Sequence, residues 1–369
     1  MIRVLHIVTY MGRGGLETMI MNYYRSIDRE KVQFDFLVHR DQEADYDREI
    51  LSLGGRIYHS SRLIPWSASY RRNLTEFFRS HPEYRIVHVH QDCLSAVALQ
   101  CAKEAGVPVR IGHCHNSNQD KNWKYLVKLH YMKKIPDHAT HLFACGKSAG
   151  QWMFGGADFQ VLNNAVELRG FTFDPEVRRR VRAALNIDDG AFVLGHVGGF
   201  RPQKNHGFLI DVFAGCVRQD PGARLLLVGD GEGRRNIEEK VASMGLGEKV
   251  IFTGVRSDIP EMLQAMDVFV FPSLYEGLGI SIVEAQASGL PCIISDTIPD
   301  DCNVTQYLVE RLPLSAPPEK WAEIILTQRD MTRTDHIDEV RRAGYDIEEK
   351  AKELEGFYLN AFAENRVDG

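Results

Sequence analysis

One stretch constrains the fold more than any other: Val268 to Pro291, which reads VFVFPSLYEGLGISIVEAQASGLP. Its first residues, Val268–Phe271, have the β-branched and aromatic composition of a buried strand. Gly277 and Gly279 then free the backbone for a turn, and apolar residues at helical spacing predict a helix that starts near Ser281. This order directs unpaired N–H groups and the positive end of the helix dipole at one point. The stretch therefore predicts an anion site at a helix N-terminus.

Two carboxylates narrow the choice of ligand for this anion site. Glu276 lies in the turn, and Glu284 lies eight residues later on the predicted helix. A carboxylate accepts hydrogen bonds from hydroxyl groups, so we predict that Glu284 binds a ribose and Glu276 a sugar. The amides between them would bind a diphosphate, and the three parts together describe a nucleotide-sugar. The alternative is an ordinary strand-to-helix connection with two solvated glutamates.

The spacing of these glutamates resembles a known signature. Glu276, seven intervening residues and Glu284, inside EGLGISIVEAQASGLP, are similar to the E-x7-E motif of retaining glycosyltransferases of family 4, also called group 1 glycosyltransferases. The resemblance covers about residues 3–362 and is to bacterial enzymes of exopolysaccharide and capsule biosynthesis. It implies an α/β chain with GT-B architecture, in which a cleft lies between two Rossmann-like parallel-sheet domains.

Length and periodicity agree with two domains. A chain of 369 residues can hold two separate cores. The resemblance implies an acceptor-side domain at 1–166, to which a terminal helix within 347–369 crosses back, and a donor-binding domain at 167–346. Helical stretches separate the strand-like runs of the first half, which predicts βαβ units and a parallel sheet. The predicted strands are Val4–Thr9, Phe34–Val38, Arg56–His59, Ile86–His90, Val109–His113 and His141–Cys145, and the last clear strand of the chain is Cys292–Asp296.

Composition excludes several classes of protein. The chain has 44 basic and 50 acidic residues, a net charge of −6, which disfavours a general nucleic-acid binder. Its seven cysteines form no C-x-x-C pair, which is typical of free thiols in a reducing compartment. We see no signal peptide and no run of 18 apolar residues. The sequence therefore predicts a cytoplasmic protein.

A second glycine turn follows the first predicted strand. Gly12 and Gly14 begin a dinucleotide fingerprint, G-x-G-x-x-G, but Glu17 stands where its third glycine is required. The remaining pattern, Gly14, Gly15, one residue and Glu17, is similar to the first loop of family-4 enzymes. That resemblance implies that Gly14 and Gly15 lie beside the donor diphosphate. A purely structural tight turn is the alternative.

Two cations follow a third glycine turn. The segment FVLGHVGGFRPQK, residues 192–204, is a predicted buried strand with Arg201 and Lys204 after it. Family-4 enzymes have an arginine after the first glycine and a lysine five residues later. Lys204 matches the lysine, but Gly199 occupies the arginine position. We expect Arg201, two residues later, to bind the diphosphate instead.

The remaining donor contacts come from the resemblance. VIFTGV, residues 250–255, is similar to the family's turn beneath the nucleotide base, and Val255 is the position that matches. Another glycine pair, Gly229 and Gly231, is followed by Arg234 and so does not form a dinucleotide fingerprint. The turn amides expected at the diphosphate belong to Gly277, Leu278, Gly279, Ile280 and Ser281.

Histidines end two predicted strands, in HVH (88–90) and HCH (113–115). RIGHCHN resembles the histidine-bearing loop of family 4, and His115 is the matching residue, expected to contact the transferred sugar; a loop-capping histidine is the alternative. Zinc is disfavoured because consecutive strand residues alternate faces and no H-x-x-x-H or cysteine pair completes a ligand set. Asp45-Tyr46-Asp47 matches a metal-binding D-x-D but lies in a solvated charge run. We therefore predict no metal site.

A basic amphipathic segment, Lys121–Ile135, carries five lysines and no acid around aromatic and aliphatic residues. This pattern is typical of a helix on an anionic membrane. Packing on its own domain is the alternative. The segment predicts docking at the inner face of a membrane and favours a lipid-linked glycan as acceptor.

Together these features predict a retaining, metal-independent glycosyltransferase with no cofactor beyond its nucleotide-sugar co-substrate, a UDP-sugar. Glu276 and His115 would act at the reacting sugar. Front-face substitution and double displacement both remain open. Two rival functions also remain: a catalytically silent nucleotide-sugar-binding scaffold, because of Gly199, and a UDP-sugar epimerase.

Overall fold

The computed structural model describes residues 1–117, 125–305 and 307–365. The chain divides into two compact units, Met1–Val166 with the segment from Asp346 onward, and Glu167–Tyr345. Each unit holds one parallel β-sheet with helices between successive strands. The predicted α/β class with two Rossmann-like parallel-sheet domains is confirmed.

In the described part of the first unit, seven strands form the sheet. They are β1 Ile2–Ile7, β2 Val32–Val38, β3 Ile57–His59, β4 Ile86–Val89, β5 Val109–Cys114, β6 His141–Ala144 and β7 Gln160–Val161. Their order across the sheet is β3-β2-β1-β4-β5-β6-β7, and every pair is parallel. The order reverses at β1, and ligands of open parallel sheets bind beyond the carboxyl ends of the strands at such a point.

Helices of the first unit cover this sheet. They are α1 Gly15–Ser26, α2 Asp47–Ser52, α3 Ala68–Ser80, α4 Ser95–Glu104, α5 Tyr125–Met132, α6 Ile135–His138 and α7 Lys147–Phe154. The predicted basic segment falls on α5 and α6, except that Lys121–Lys124 lie outside the described residues. Nowhere in the described ranges does a helix combine the length and the apolar character needed to cross a membrane.

The second unit has a sheet of six described strands. They are β8 Val193–Val197, β9 Arg224–Val228, β10 Val250–Phe252, β11 Val268–Phe271, β12 Cys292–Ser295 and β13 Val309–Leu312, in the order β10-β9-β8-β11-β12-β13. Its helices are α8 Pro175–Ala184, α9 His206–Gln219, α10 Arg234–Ser243, α11 Ile259–Gln264, α12 Ile280–Ala287, α13 Pro318–Leu326 and α14 Ile337–Arg342.

The stretch Val268–Pro291 folds as predicted, whereas the second sheet has one more strand at its end than was predicted. β11 has the predicted bounds, and α12 starts at Ile280, one residue before Ser281. The prediction that Cys292–Asp296 is the last clear strand was wrong, because β13 pairs with β12. β13 reads VERL, lies at the sheet edge and is only partly buried, so it lacks the apolar run that marks a fully buried strand.

The terminal helix, α15, belongs to the first unit and runs over Ile347–Glu364. Apolar residues recur along it at helical spacing, and Ile347, Ala351, Leu354 and Tyr358 are buried in the core of that unit. The side chain of Asp346 accepts a hydrogen bond from the Glu348 amide and so caps the helix. α15 packs against α1, β1 and β2.

Candidate functional site

The glycine turn between β11 and α12 is shaped by Gly279. This residue has φ 80° and ψ 57°, in the left-handed region that favours glycine. A Cβ at this position would lie 2.9 Å from Cδ1 of Ile282. Leu278 is buried beside it and anchors the turn. The first amides of α12, those of Ile280 and Ser281, have no intrahelical acceptor in helix geometry and are available to an anion.

Glu276 and Lys204 form an ion pair in this turn. Lys204 Nζ donates to Glu276 Oε1 at 2.8 Å, and the side chains are 18% and 8% exposed. The Lys204 ammonium also lies 4.5 Å from the centroid of the Phe271 ring. Gly198 makes room for the lysine, because a Cβ there would lie 3.3 Å from Lys204 Cε. The structure thus brings together the predicted phosphate cation and the predicted sugar-binding carboxylate.

Arg201, which was predicted to act in place of the arginine missing at residue 199, lies close to Gly199. Its side chain is exposed, and its Nε is 3.9 Å from the position that a Cβ on Gly199 would occupy. The same Cβ would lie 3.3 Å from the carbonyl oxygen of Asp230. The Arg201 side chain therefore lies next to the position from which a side chain at residue 199 would extend.

The two other predicted donor contacts follow neighbouring elements of the same sheet. Glu284 lies on α12 and keeps part of its surface in solvent. Burial of its carboxyl raises the pKa of Glu284 to about 8, because the surrounding protein disfavours the charged form. Val255 follows β10 and is about half exposed. Since β8, β10 and β11 are parallel members of one sheet, Arg201, Lys204, Val255 and Glu276 all follow carboxyl ends of its strands.

In the first unit, Gly14 and Gly15 begin α1. Gly14 is the N-cap residue, and a Cβ on it would lie 2.3 Å from Oε2 of Glu17. The Glu17 carboxylate therefore folds back over the start of the helix, and a side chain at residue 14 would displace it. A Cβ on Gly15 would meet nothing within 4 Å, so this side of the turn is open.

Five histidines lie together on one face of the first sheet. They come from three adjacent strands, β1, β4 and β5, and from the residues just after β4 and β5. The sequence argument against a shared site, that consecutive strand residues alternate faces, was wrong here. The histidines of each strand are two residues apart and therefore share a face. The cluster consists of His6, His88, His90, His113 and His115.

The histidine rings form two hydrogen-bonded chains. In the first chain, Nδ1 of His6 lies 3.0 Å from Nε2 of His90, and Nδ1 of His90 lies 2.9 Å from Nε2 of His115. The chains stack on each other, with ring centroids 4.3 Å apart at His88 and His90. The second chain joins the Tyr358 hydroxyl to Nδ1 of His88 at 2.7 Å, and Nε2 of His88 to Nδ1 of His113 at 3.0 Å.

Burial keeps these imidazoles neutral. Desolvation lowers the pKa of His6 and of His115 to about 3, and it lowers the pKa of His88, His90 and His113 well below the ordinary value. Neutral imidazole has one N–H donor and one acceptor nitrogen, so neighbouring rings can bind each other.

Two triads of these rings bring their nitrogens within 4.8 Å, His6/His88/His90 and His90/His113/His115. A tetrahedral zinc ion with bonds of about 2.0–2.1 Å would hold its ligand nitrogens roughly 3.3 Å apart. The ring nitrogens of His6 and His90 are 3.0 Å apart, the length of a hydrogen bond. The separation between His6 and His90 is therefore that of two rings that share a proton.

Comparison with known proteins decides the family. Residues 13–169 match the family described as Glycosyltransferase Family 4, and residues 177–306 match Glycosyl transferases group 1. The putative glycosyltransferase EpsF of Bacillus subtilis is 40% identical over 332 residues, which cover 88% of this chain and 86% of EpsF. The chain belongs to glycosyltransferase family 4.

This family-4 glycosyltransferase is also similar to a second curated enzyme in sequence and to a solved structure in fold. The UDP-Gal:alpha-D-GlcNAc-diphosphoundecaprenol alpha-1,3-galactosyltransferase of Escherichia coli is 29% identical over 235 residues, 60% of each chain. The crystal structure of Anabaena HepE in complex with UDP and glucose superimposes with a TM-score of 0.75 over 99% of this chain and 100% of HepE, at 17% identity. The predicted family, the GT-B fold and the assignment as a transferase are confirmed.

In this family-4 glycosyltransferase, sequence reasoning missed the residue that holds the His115 loop. Asp92 Oδ1 accepts a hydrogen bond from the His115 amide at 3.2 Å, and Oδ2 accepts one from Asn116 Nδ2 at 2.6 Å. Burial raises the pKa of the Asp92 carboxyl. Its φ of 46° is unusual for a residue other than glycine. The sequence feature that could have identified Asp92 is its position just after β4, at the carboxyl edge of the sheet.

Proposed function

We propose that this family-4 enzyme is retaining and metal-independent, and that it transfers a sugar from a UDP-sugar to a lipid-linked glycan in polysaccharide biosynthesis. The name of the E. coli relative supports a UDP-sugar donor and a diphosphoundecaprenol acceptor. HepE, which shares the fold, binds UDP and glucose. The capsular polysaccharide glycosyltransferase CapH of Staphylococcus aureus, 23% identical over 98% of this chain, supports the same biosynthetic class.

The observation that carries this proposal is the Lys204–Glu276 pair beside the start of α12. An ammonium has three donors, so Lys204 can bind Glu276 and a phosphate oxygen together. Arg201 and the amides of Gly277 to Ser281 would add donors to the leaving diphosphate. Electrostatic stabilisation of that leaving group is the main catalytic term, and it supplies the positive charge that a divalent metal provides in other transferases.

The other predicted residues complete the donor site. Glu276 would accept hydrogen bonds from sugar hydroxyls, and Glu284 would accept them from the ribose. Val255 would lie beneath the base through its backbone. Gly14 and Gly15 would lie beside the diphosphate, and His115 would contact the transferred sugar.

We also propose that the enzyme works in the cytoplasm, at the inner face of the membrane. α5 has no buried residue, and its Leu126 is 76% exposed. The Tyr131 hydroxyl donates to the Pro65 carbonyl and so holds α5 beside a loop in which Trp66 is 67% exposed. Basic residues around exposed aromatic and aliphatic side chains fit an anionic bilayer surface. All seven cysteines are buried free thiols, which suits a reducing compartment.

The first test is donor binding without metal. We would measure the thermal midpoint with UDP, GDP, ADP and their sugars, first in EDTA and then with Mg²⁺. A ligand at a hundred times its dissociation constant stabilises the folded state by about 2.7 kcal/mol. We expect UDP and a UDP-sugar to stabilise the protein in EDTA. Stabilisation that needs Mg²⁺, or that only GDP or ADP compounds produce, would contradict the proposal.

The second test is transfer. With the stabilising UDP-sugar and an undecaprenyl-diphosphate-linked sugar, we expect UDP release and an anomeric NMR signal of retained configuration. Glu276→Ala should lower this transfer activity. Glu261→Ala, which removes an exposed ion pair with Arg180 in the same unit, is the matched control. Donor binding without transfer would favour the scaffold, and sugar interconversion without acceptor would favour an epimerase.

A further inference from the structure

The first histidine chain links a predicted substrate contact to the interior of the sheet. His115 follows β5, His90 follows β4 and His6 lies within β1. His6 and His90 are at most 3% exposed, whereas His115 keeps part of its surface in solvent. Among the described residues, Nε2 of His6 and Nδ1 of His115, the two ends of the chain, have no hydrogen-bond partner. The chain thus has two internal hydrogen bonds and two open ends.

The rings meet edge to edge, as hydrogen-bonded imidazoles must. The centroids of His6 and His90 are 5.2 Å apart with an angle of 13° between the ring planes. The centroids of His90 and His115 are also 5.2 Å apart, with an angle of 35°. Nitrogen separations of 3.0 and 2.9 Å at these centroid distances place the bonds near the ring planes, where both the N–H group and the lone pair point.

Counting protons leaves two states for this chain. Three neutral rings have three N–H groups, and the two hydrogen bonds use two of them. The third N–H group must lie at one end, either on Nε2 of His6 or on Nδ1 of His115. In the first state every N–H points from His115 toward His6, and in the second state every N–H points the other way. The tautomer of His115 is therefore tied to that of His90 and His6.

The surroundings of His6 favour the second state. Its ring lies 4.2 Å from the Phe34 ring, and it lines a cavity of about 10 Å³. Apolar side chains form much of that cavity wall, namely Met19, Ile20, Phe34, Leu162 and Leu354. A cavity of this size and lining is at or below the limit for holding a water molecule. A buried N–H group without an acceptor is costlier than an unused lone pair. His6 is 2% exposed, whereas His115 keeps part of its surface in solvent, so we place the lone pair at His6 and the third N–H group at His115.

We propose that His6 and His90 are positioning residues that hold neutral His115 as its Nδ1–H tautomer. In this arrangement Nδ1–H of His6 donates to Nε2 of His90, and Nδ1–H of His90 donates to Nε2 of His115. The third N–H group then lies at Nδ1 of His115. That donor would bind a hydroxyl of the transferred sugar, a step that rests on the proposed function. In the part of the chain that the structure describes, Nδ1 of His115 has no acceptor, so the preference for this tautomer in the free protein comes from the apolar surroundings of His6.

Nitrogen-15 NMR of histidine rings tests the tautomer directly. Long-range proton–nitrogen correlations distinguish protonated from bare ring nitrogens, and single variants assign the rings. In the wild type we expect Nδ1 of His6, His90 and His115 to be protonated. In His90→Phe, which keeps an aromatic ring but removes both nitrogens, we expect His115 to populate both tautomers. His115 protonated at Nε2 in the wild type, or unchanged in the variant, would overturn the proposal.

Three further variants separate positioning from packing. His88→Phe breaks the second chain, which stacks on the first without a hydrogen bond to His115, so it should leave the His115 tautomer unchanged. His90→Gln keeps an amide donor and should restore the Nδ1–H form. If His90→Phe does not fold, His6→Phe removes the bias at the far end and should give mixed tautomers at His115. A shift in His88→Phe equal to that in His90→Phe would indicate packing alone.

Kinetics add a readout for the sugar contact. Losing one oriented hydrogen bond should lower kcat/KM about tenfold in His90→Phe, and adding His115→Phe to that variant should cost little more. His88→Phe should stay within about twofold of the wild type. Additive losses from the residue 90 and residue 115 variants would refute the coupling. If no UDP-sugar is turned over, the proposed function fails, while the NMR result still decides the tautomer.

Discussion

Lys204 Nζ donates to Glu276 Oε1 at 2.8 Å, so the predicted phosphate cation and the predicted sugar carboxylate bind each other. Both side chains are mostly out of solvent, which strengthens their attraction. A diphosphate that reaches Lys204 therefore meets a cation whose direction is fixed by the carboxylate. The pair can connect binding of the diphosphate with orientation of the sugar.

The first prediction concerns the carboxylate. Glu276→Ala should lower turnover at least tenfold, because it removes the acceptor for the sugar hydroxyls and the group that orients Lys204. Glu276→Gln, which keeps an acceptor oxygen, should lose less. Turnover is measured as UDP release with a matched donor. Glu261→Ala, at an exposed ion pair in the same unit, should behave as wild type. Full activity of Glu276→Ala would remove Glu276 from the site.

The second prediction concerns Arg201 and Gly199. Arg201→Ala should weaken UDP binding between about tenfold and a hundredfold, since a charge-assisted hydrogen bond contributes about 1.5–3 kcal/mol. Gly199→Arg in that background should restore affinity, because it places a guanidinium at the position that the family uses. Calorimetric titration with UDP measures both effects.

The geometry at residue 199 permits this rescue test. A Cβ on Gly199 would be 3.3 Å from the Asp230 carbonyl oxygen, a tight contact that needs a small shift. Gly199 is also not among the glycines of positive φ, so a side chain there meets no backbone strain. Arg224→Ala, on an arginine that donates to the Gly222 and Ala223 carbonyls, is a control that should leave UDP affinity unchanged. Unaltered affinity in Arg201→Ala would exclude Arg201 from the phosphate site.

The third prediction concerns Glu284 and pH. Burial raises its pKa to about 8, so the carboxyl is largely protonated at pH 7 and ionises fully only above pH 8. Ribose hydroxyls donate best to the ionised form, so UDP binding should release a proton from Glu284. UDP affinity should therefore rise from pH 7 to 8, by at most about tenfold per pH unit, and level off above that.

Glu284→Gln provides the matched comparison for this pH profile. It cannot ionise, so its UDP affinity should not change over the same range beyond the effect of buffer and nucleotide. Calorimetry in two buffers of different ionisation enthalpy counts the released proton. The same rise with pH in Glu284→Gln would assign the proton to another group.

The fourth prediction concerns the membrane surface. Lys133 lies just after α5, and replacing Lys133 and Lys134 by Glu should lower the partition coefficient onto anionic vesicles at least about thirtyfold, because each basic residue near such a surface contributes about 1 kcal/mol. Trp66→Ala should reduce it as well, through loss of an exposed aromatic contact. Neutral vesicles and Lys249→Glu, in the other unit, are the controls. Equal sedimentation of all variants would exclude this surface.

Much of the fold could be predicted from local sequence, and the failures have physical causes. β11 and the start of α12 were found because a buried parallel strand and a glycine turn leave strong local patterns. β13 was missed because an edge strand needs no apolar run. The Lys204–Glu276 contact joins residues 72 apart, and only the pairing of β8 with β11 brings them together.

The histidine chains are a second case in which contacts between distant residues could not be predicted from local sequence. Their residues were visible as HVH and HCH, but their contacts depend on the register between strands. His6 lies opposite His88 in the pairing of β1 with β4, and the tyrosine that completes the second chain comes from α15, 270 residues away. No local pattern contains this information. The candidate residues were therefore predictable from sequence, whereas their hydrogen-bonded order was not.

The fifth prediction is a steep loss of stability in acid. The five clustered histidines have folded pKa values far below the ordinary value of about 6.5, so below that pH the unfolded chain binds protons that the folded chain does not. Their contribution is complete above pH 6.5 and is lost progressively as the pH falls below that value. Five protons give a slope that approaches about 7 kcal/mol per pH unit.

Variants of single histidines test the origin of that slope. Urea unfolding between pH 7.5 and 5 measures the free energy of unfolding at each pH. His88→Phe removes one buried imidazole and should reduce the slope by about 1.4 kcal/mol per pH unit, whatever it does to stability at pH 7.5. His130→Gln, at an exposed histidine, should not change it. A slope that is the same in wild type and His88→Phe would mean that the cluster is already protonated in the folded protein, and it would contradict the neutral hydrogen-bonded chains.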